Sequence, residues 1–249
     1  VHGDISPAEL KAIEDEEIGK LIAKQEAIGL EGVTDGEYRR SWWHYDFLWN
    51  LDGVERIAVE QGIQFAGVQT KAEAPHVMSK IGFTGHPFVD HFKFLKANTK
   101  KTAKQTIPSP SMLHYRGGRK LINMGVYPDM NDFYHDLGAA YGKAVKAFGD
   151  AGCTYLQLDD VSFAYLCDPE QRKMLKDRGD DPDKQPGIYA GMINKALESR
   201  PAGMTVSMHL CRGNFRSTWA AEGGYEPVAE IMFNELNINS FFLEYDDAR

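Results

Sequence analysis

The stretch "TYLQLDD" (residues 154–160) runs from a short apolar segment into two adjacent carboxylates. Its aromatic and branched residues predict a strand, and charge at the end of the run places the last side chains at the rim of a sheet. Successive side chains in a strand face opposite ways. One of Asp159 and Asp160 is therefore expected to face the rim, and the other a helix or loop.

The flanking residues repeat this arrangement. Upstream, Leu137, Tyr141, Val145 and Phe148 step by four, four and three, which predicts a helix within 130–150 that Gly152 stops. Downstream come a helix near 186–199, the strand "MTVSMHLC" (204–211), the helix "EPVAEIMFNELN" (226–237) and the strand "SFFLEYDD" (240–247). Near the start, Ser6, Pro7 and Glu9 form a capping-box signature ahead of a helix carrying Leu10, Ile13, Leu21 and Ile22 on one side. Gly29 ends that helix, and a short strand "LEGVT" (30–34) runs into "DGEYRR". A further strand is read at "SPSMLHY" (109–115).

Strands alternating with helices pair in parallel through right-handed crossovers, which leaves a doubly wound α/β sheet or a (β/α)8 barrel. Each of the five strands ends in polar residues: Asp35 and Glu37, His114 and Tyr115, Asp159 and Asp160, His209 and Cys211, Glu244 and Asp246. In a barrel these ends converge on one mouth, where active sites are built. No G-x-G-x-x-G follows any strand, which counts against a dinucleotide fold. Residues 54–105 stand outside the repeat. Partial alternation in "IQFAGVQTKAEAPHVMSKIGF" (63–83) predicts a β-hairpin excursion over the mouth.

A chain of 249 residues buries a full core, and no linker divides it, so residues 1–249 are expected to form one barrel domain. A first residue of valine and a last stretch "FFLEYDDAR" predict that this domain is truncated at both ends. With 43% hydrophobic and 26% charged residues the composition is that of a folded protein rather than a disordered one. A net charge of −8 repels a phosphate backbone, so nucleic acid is not expected as a partner. No apolar run approaches the ~20 residues that span a bilayer, and "VHGDISPAELKAIEDEE" has no signal-peptide core. Cys153, Cys167 and Cys211 form no paired disulfide framework. Together these predict a cytoplasmic protein.

His209 and Cys211 lie two apart on a strand, face the same way and are able to share one metal ion. The alternative is a strand end with one buried thiol and one hydrogen-bonded imidazole. Glu244, at the end of the next strand, would supply a third ligand, or belong to a solvated acidic turn. Glu37 and Arg40 would bind the ammonium and carboxylate of an amino acid, or pair with each other. The cluster "SWWHYDFLW" (41–49) offers a face to a flat heterocycle, or is ordinary core. Lys93, Lys96, Lys100, Lys101 and Lys104 form a solvated face, or meet an anionic ligand tail. "RGGRK" (116–120) is no Walker loop.

With "VTDGEYRRSWWHYDFLW", "AGCTYLQLDD", "HLCRGNFRSTWAAEGGYEP" and "FFLEYDD" occurring in that order, the chain resembles the catalytic domain of cobalamin-independent methionine synthase. The likeness spans nearly the whole chain and is strongest to short bacterial relatives without the duplicated N-terminal domain. It implies a TIM-type (β/α)8 barrel, of which about five to six strands lie in this chain. It also implies a zinc ion held by His209, Cys211, Glu244 and a second cysteine beyond Arg249. Glu37 and Asp159 match the residues that hold the amino group of homocysteine, and Arg40 stands beside them. The histidine that donates a proton is expected past Arg249 as well, and one strand before Val1.

The reaction the resemblance implies is transfer of a methyl group from 5-methyltetrahydrofolate, or its polyglutamate, to homocysteine, giving methionine. Zinc lowers the pKa of the thiol so that a thiolate persists at neutral pH, and the departing nitrogen is protonated as the methyl leaves. Alternatives are transfer from another donor such as methylcobalamin, a non-catalytic protein with a structural zinc, or a metal-free barrel resembling uroporphyrinogen decarboxylase. The oligomeric state is not legible.

Overall fold

A computed structural model describes residues 5–60, 62–65, 68–216 and 218–245. Helix α1 (Pro7–Ala27) opens with the expected capping box, Ser6 Oγ accepting from Glu9 N at 3.2 Å and Glu9 Oε2 from Ser6 N at 2.8 Å. Its packed stripe differs from the expected one. Ile18 and Ile22, one turn apart, are buried, whereas Ile13 is 51% exposed. The first half of α1 is held by charge instead, through Glu14 and Asp15 on the nearly buried Arg39.

The remaining elements are β1 (Gly32–Val33), α2 (Tyr45–Leu48), β2 (Asp52–Ala58), β3 (Gln64–Phe65), β4 (Val68–Gln69), β5 (Glu73–Gly82), α3 (Pro87–Ala97), β6 (Thr102–Pro108), α4 (Ser111–Gly117), α5 (Met130–Asp150), β7 (Tyr155–Asp160), α6 (Ser162–Tyr165), α7 (Pro169–Asp177), α8 (Gln185–Leu197), β8 (Thr205–Leu210), α9 (Glu226–Asn234) and β9 (Ser240–Leu243). Strands β1, β6, β7, β8 and β9 lie in that order in one sheet, every neighbouring pair parallel. The sheet curls into part of a TIM-type barrel. Helix α5 buries Leu137, Tyr141, Val145 and Phe148, as their spacing predicts, and packs on α8. The approach is close: a Cβ on Gly138 would lie 3.1 Å from Met192 O.

One strand is corrected. The stretch 109–115 is not a strand: β6 ends at Pro108 and α4 begins at Ser111. In β6 the buried Ala103, Gln105 and Ile107 alternate with polar Lys104 and Thr106, so it does not look apolar. Residues Ser111 to Tyr115 are all buried, and a short apolar run reads equally as strand or helix. His114 therefore sits at no strand end. It is a buried helical residue, with Nδ1 2.9 Å from Tyr189 Oη and Nε2 3.2 Å from Tyr134 Oη.

Strands β2 and β5 form an antiparallel pair from Asp52 to Gly82, with an irregular register between Asp52 and Val54. Gly53 has φ +82 at that point, and a Cβ there would meet Lys80 O at 2.5 Å. After this excursion α3 and β6 return to the β/α alternation. Strand β9 is shorter than expected, and the strand end proposed at Asp246 lies outside the described residues. Among the described residues no helix is long and apolar enough to cross a membrane.

Candidate active site

The parallel register brings the strand ends together. Asp159 on β7 is the partner of His209 on β8, and Leu210 is the partner of Leu243 on β9, immediately before Glu244. His209, Cys211 and Glu244 consequently converge, each offering a ligand atom within 4.8 Å of the others. Glu244 Oε1 stands 3.4 Å from His209 Nε2, and Asp159 Oδ1 stands 3.6 Å from His209 Nδ1. The imidazole thus lies between two carboxylates.

The loop after β8 shapes this cluster. Gly213 N donates to Cys211 Sγ at 3.3 Å, and Asn214 Nδ2 donates to Glu244 Oε1 at 3.1 Å and Oε2 at 3.0 Å. Gly213 has φ +77, and a Cβ there would lie 2.0 Å from Tyr165 Oη, so only glycine fits. Arg212 ties the loop to the end of β9, its N donating to Glu244 Oε2 at 3.2 Å and its Nε to Glu244 O at 3.0 Å.

Without a cation these groups titrate as a coupled set. Asp159 and Glu244 outweigh burial and raise the His209 pKa, while burial pushes the Cys211 thiol up. Glu244 is lowered: burial opposes its charge, but Asn214, the Arg212 N–H and His209 together favour it. An imidazole nitrogen, a thiolate sulfur and a carboxylate oxygen are the donor types zinc takes, and three protein ligands leave room for substrate. The residues fit that ion.

Next to this cluster lies a second one. Gly36 and Glu37 both have left-handed backbones, φ 65 and φ 58, in a turn closed by Glu37 N donating to Asp35 Oδ1 at 3.0 Å. Such a conformation is costly for a residue other than glycine, and it tends to occur at functional sites. Glu37 Oε1 accepts from Arg40 Nη1 at 2.9 Å and from Thr106 Oγ1 at 2.8 Å. Burial raises the Glu37 pKa; Arg40 and Thr106 oppose it, and the charge of Asp159 reinforces it. Two carboxylates that repel in a half-buried place favour a cation between them. Arg40 is itself committed, with Nη2 donating to Thr106 O at 2.7 Å and its guanidinium 4.4 Å above the Phe88 ring.

The two adjacent aspartates face different surroundings. Asp160 is fully buried and accepts from Ser111 Oγ, from Ser162 Oγ at 2.9 Å and from Phe163 N at 2.9 Å. Asp159 sits among Gln157, His209 and Glu37. Three contributors were not singled out in the sequence: Gln157, whose Nε2 donates to Asp159 Oδ1 at 2.6 Å, together with Thr106 and Asn214. Gln157 was recoverable from its spacing, two before Asp159 on one face. Thr106 was hidden by the misplaced strand.

No family model matches the chain. YxjH of Bacillus subtilis (strain 168), an uncharacterized protein, is 49% identical over 248 residues, covering 99% of this chain and 65% of YxjH. A solved structure from Listeria monocytogenes, provisionally named a vitamin-B12-independent methionine synthase, is 44% identical with a TM-score of 0.79, covering 99% of this chain and 66% of that one. Over nearly its whole length the chain is similar to this protein named as a B12-independent methionine synthase. A B12-independent methionine synthase from Shewanella sp. W3-18-1, solved in complex with selenomethionine, shares the fold at 17% identity, with a TM-score of 0.68 over 95% of this chain and 64% of that one. The chain spans 65% of the length of YxjH.

Proposed function

We propose that the chain carries the homocysteine-binding and metal-binding part of a methyltransferase that moves a methyl group from 5-methyltetrahydrofolate, or its polyglutamate, to homocysteine. The observation that carries this reading is the convergence of His209, Cys211 and Glu244 beside the carboxylates Glu37 and Asp159. The selenomethionine held by the Shewanella protein is the selenium analogue of the product and supports an amino-acid site in this fold.

His209, Cys211 and Glu244 would hold a zinc ion, which when bound acts as a Lewis acid toward the thiol of homocysteine and lowers its pKa. Glu37 and Asp159 attract the substrate ammonium, which relieves their mutual repulsion. Arg40 belongs to the same subsite: it fixes Glu37 against Thr106 and so aims the carboxylate at the ammonium. Asp159 orients the His209 ring from the side opposite Glu244, as a carboxylate behind a ligating histidine does. The working place proposed for such an enzyme is the cytoplasm.

The test is methionine formation by the zinc-loaded full-length protein from homocysteine and each donor in turn. Transfer from methyltetrahydrofolate is expected. Transfer from methylcobalamin alone would change the donor. No transfer from any donor, with a metal site whose X-ray absorption homocysteine leaves unaltered, would favour a structural zinc.

A further inference from the structure

Strand β9 delivers Glu244 to the site, but several rotatable bonds separate a glutamate backbone from its carboxylate. The loop after β8 fixes both ends. Arg212 Nε at 3.0 Å and Tyr225 Oη at 3.1 Å donate to the backbone oxygen of Glu244, and Arg212 N donates to Oε2 at 3.2 Å. Asn214 Nδ2 reaches both carboxylate oxygens, Oε1 at 3.1 Å and Oε2 at 3.0 Å, and lies 3.6 Å from Cys211 Sγ. One amide thus touches two of the candidate metal ligands His209, Cys211 and Glu244. Oε1 stands 3.4 Å from His209 Nε2. Two ligand atoms each ~2.0 Å from one tetrahedral ion are separated by roughly 3.3 Å, so the carboxylate is already at a ligand's spacing. Oε2 is turned to the two donors of the loop.

We infer that Asn214 is a positioning residue for the metal site: its amide holds Glu244 with Oε1 toward the ion and donates to the Cys211 sulfur. The inference rests on the reading of His209, Cys211 and Glu244 as metal ligands and adds to it a residue outside that set. An amide suits the place. Its N–H groups donate without carrying charge, so they stabilise an anionic oxygen and sulfur without bringing in a competing cation. A carboxylate at 214 would repel Glu244, and its oxygens would themselves be ligands for zinc. With the Glu244 side chain ordered by folding, metal binding does not have to immobilise it. An N–H bonded to a thiolate or carboxylate also takes up part of its negative charge, which leaves the ion a stronger Lewis acid toward an incoming thiol.

The experiment compares the full-length wild type with Asn214→Leu, which keeps the size of the side chain and removes its N–H groups. Zinc affinity, read by competition with a chelator, should fall about ten-fold or more, the scale seen when a group behind a metal ligand is lost. In the cobalt-substituted protein the thiolate-to-cobalt charge-transfer band should move to lower energy, because the sulfur has lost an N–H donor. The melting temperature of the metal-free variant should change little, since the Asn214 side chain is exposed. A residue that serves only the loop gives the reverse, a lower melting temperature with affinity and band unmoved, and that result overturns the inference. Should Asn214→Leu not fold, Asn214→Ala takes its place with the same expectations, and wild-type zinc affinity in it overturns the inference as well. A wild type that binds neither zinc nor cobalt removes the metal reading and the inference together, whereas a variant with wild-type affinity and spectrum removes the inference alone. Zinc binding that depends on Asn214 in a protein without methyl transfer would defeat the proposed function and leave this inference standing.

Discussion

Asp159 and His209 are register partners on adjacent parallel strands, with Asp159 Oδ1 3.6 Å from His209 Nδ1. Through this one contact the carboxylate pair proposed for an ammonium also reaches the ring proposed as a metal ligand. Glu37 has no such link, being held by Arg40 and Thr106.

The two carboxylates should therefore respond differently to substitution. Glu37→Ala is expected to raise the homocysteine KM by about ten-fold or more, the order of a lost charge-assisted hydrogen bond, with zinc content unchanged. Asp159→Ala should raise KM and also weaken zinc binding by about 10- to 100-fold, as loss of a carboxylate behind a ligating histidine does. Steady-state kinetics paired with metal analysis separates the two, and equal zinc loss in both variants would make Glu37 part of the metal site.

Cys211→Ser replaces a soft thiolate by a hard, weakly acidic hydroxyl. Zinc content after dialysis should fall sharply while the far-ultraviolet circular dichroism spectrum stays as in wild type. Retention of a full equivalent of zinc would remove Cys211 from the ligand set.

Gly213→Ala puts a side chain on a φ of +77 and a Cβ 2.0 Å from Tyr165 Oη. The expected cost is about 1–3 kcal/mol, with displacement of the N–H that Cys211 Sγ accepts. Thermal unfolding and metal content check it; an unaltered melting temperature would contradict the tight packing of this loop.

His86 gives a pH dependence away from the metal ligands. Its Nδ1 accepts from Phe88 N at 3.2 Å and caps α3, and its Nε2 donates to Phe47 O at 3.0 Å, an arrangement only the neutral ring can make. Burial lowers its pKa to about 4, against 6.5 for an ordinary histidine. Between those values the unfolded chain binds the proton and the folded chain does not, so stability is fully present above pH 6.5 and is lost as pH falls toward 4. The shift corresponds to about 3 kcal/mol at most. His86→Asn keeps a capping acceptor without the titration, so its urea midpoint should vary less between pH 7 and 4. The slope that remains belongs to the other shifted groups, among them His44, His91 and His114, which burial also lowers. An unchanged slope in His86→Asn would show that the cap does not titrate.

Most of the sheet was legible because β7, β8 and β9 are apolar runs closed by charge and spaced by periodic helices. Strand β6 was not, since Lys104 and Thr106 occupy its partly exposed positions and the neighbouring "SMLHY" carries the apolar signal as a buried helix. The convergence of His209, Cys211 and Glu244 was recoverable because register is fixed once the strands are known. The pairing of Glu37 with Arg40 was one of the two readings the sequence offered, but the commitment of Arg40 to Thr106 was not legible, because it crosses from the Glu37 turn to β6, 66 residues away in sequence. That His44 finds no hydrogen-bond partner among the described residues is invisible in any sequence: it depends on what the fold fails to bring near.

Asp159 and Asp160 carry a last consequence, for evolution. Loss of either would fail differently, since Asp160 holds Ser111, Ser162 and the start of α6 in the interior while Asp159 faces the neighbours a ligand would meet. An alignment holding aspartate in both columns would assign them one meaning. Drift to asparagine would expose the difference: at 159 it alters the charge offered to a ligand, whereas at 160 it places amide hydrogens against two hydroxyls and a backbone N–H and loosens the fold itself.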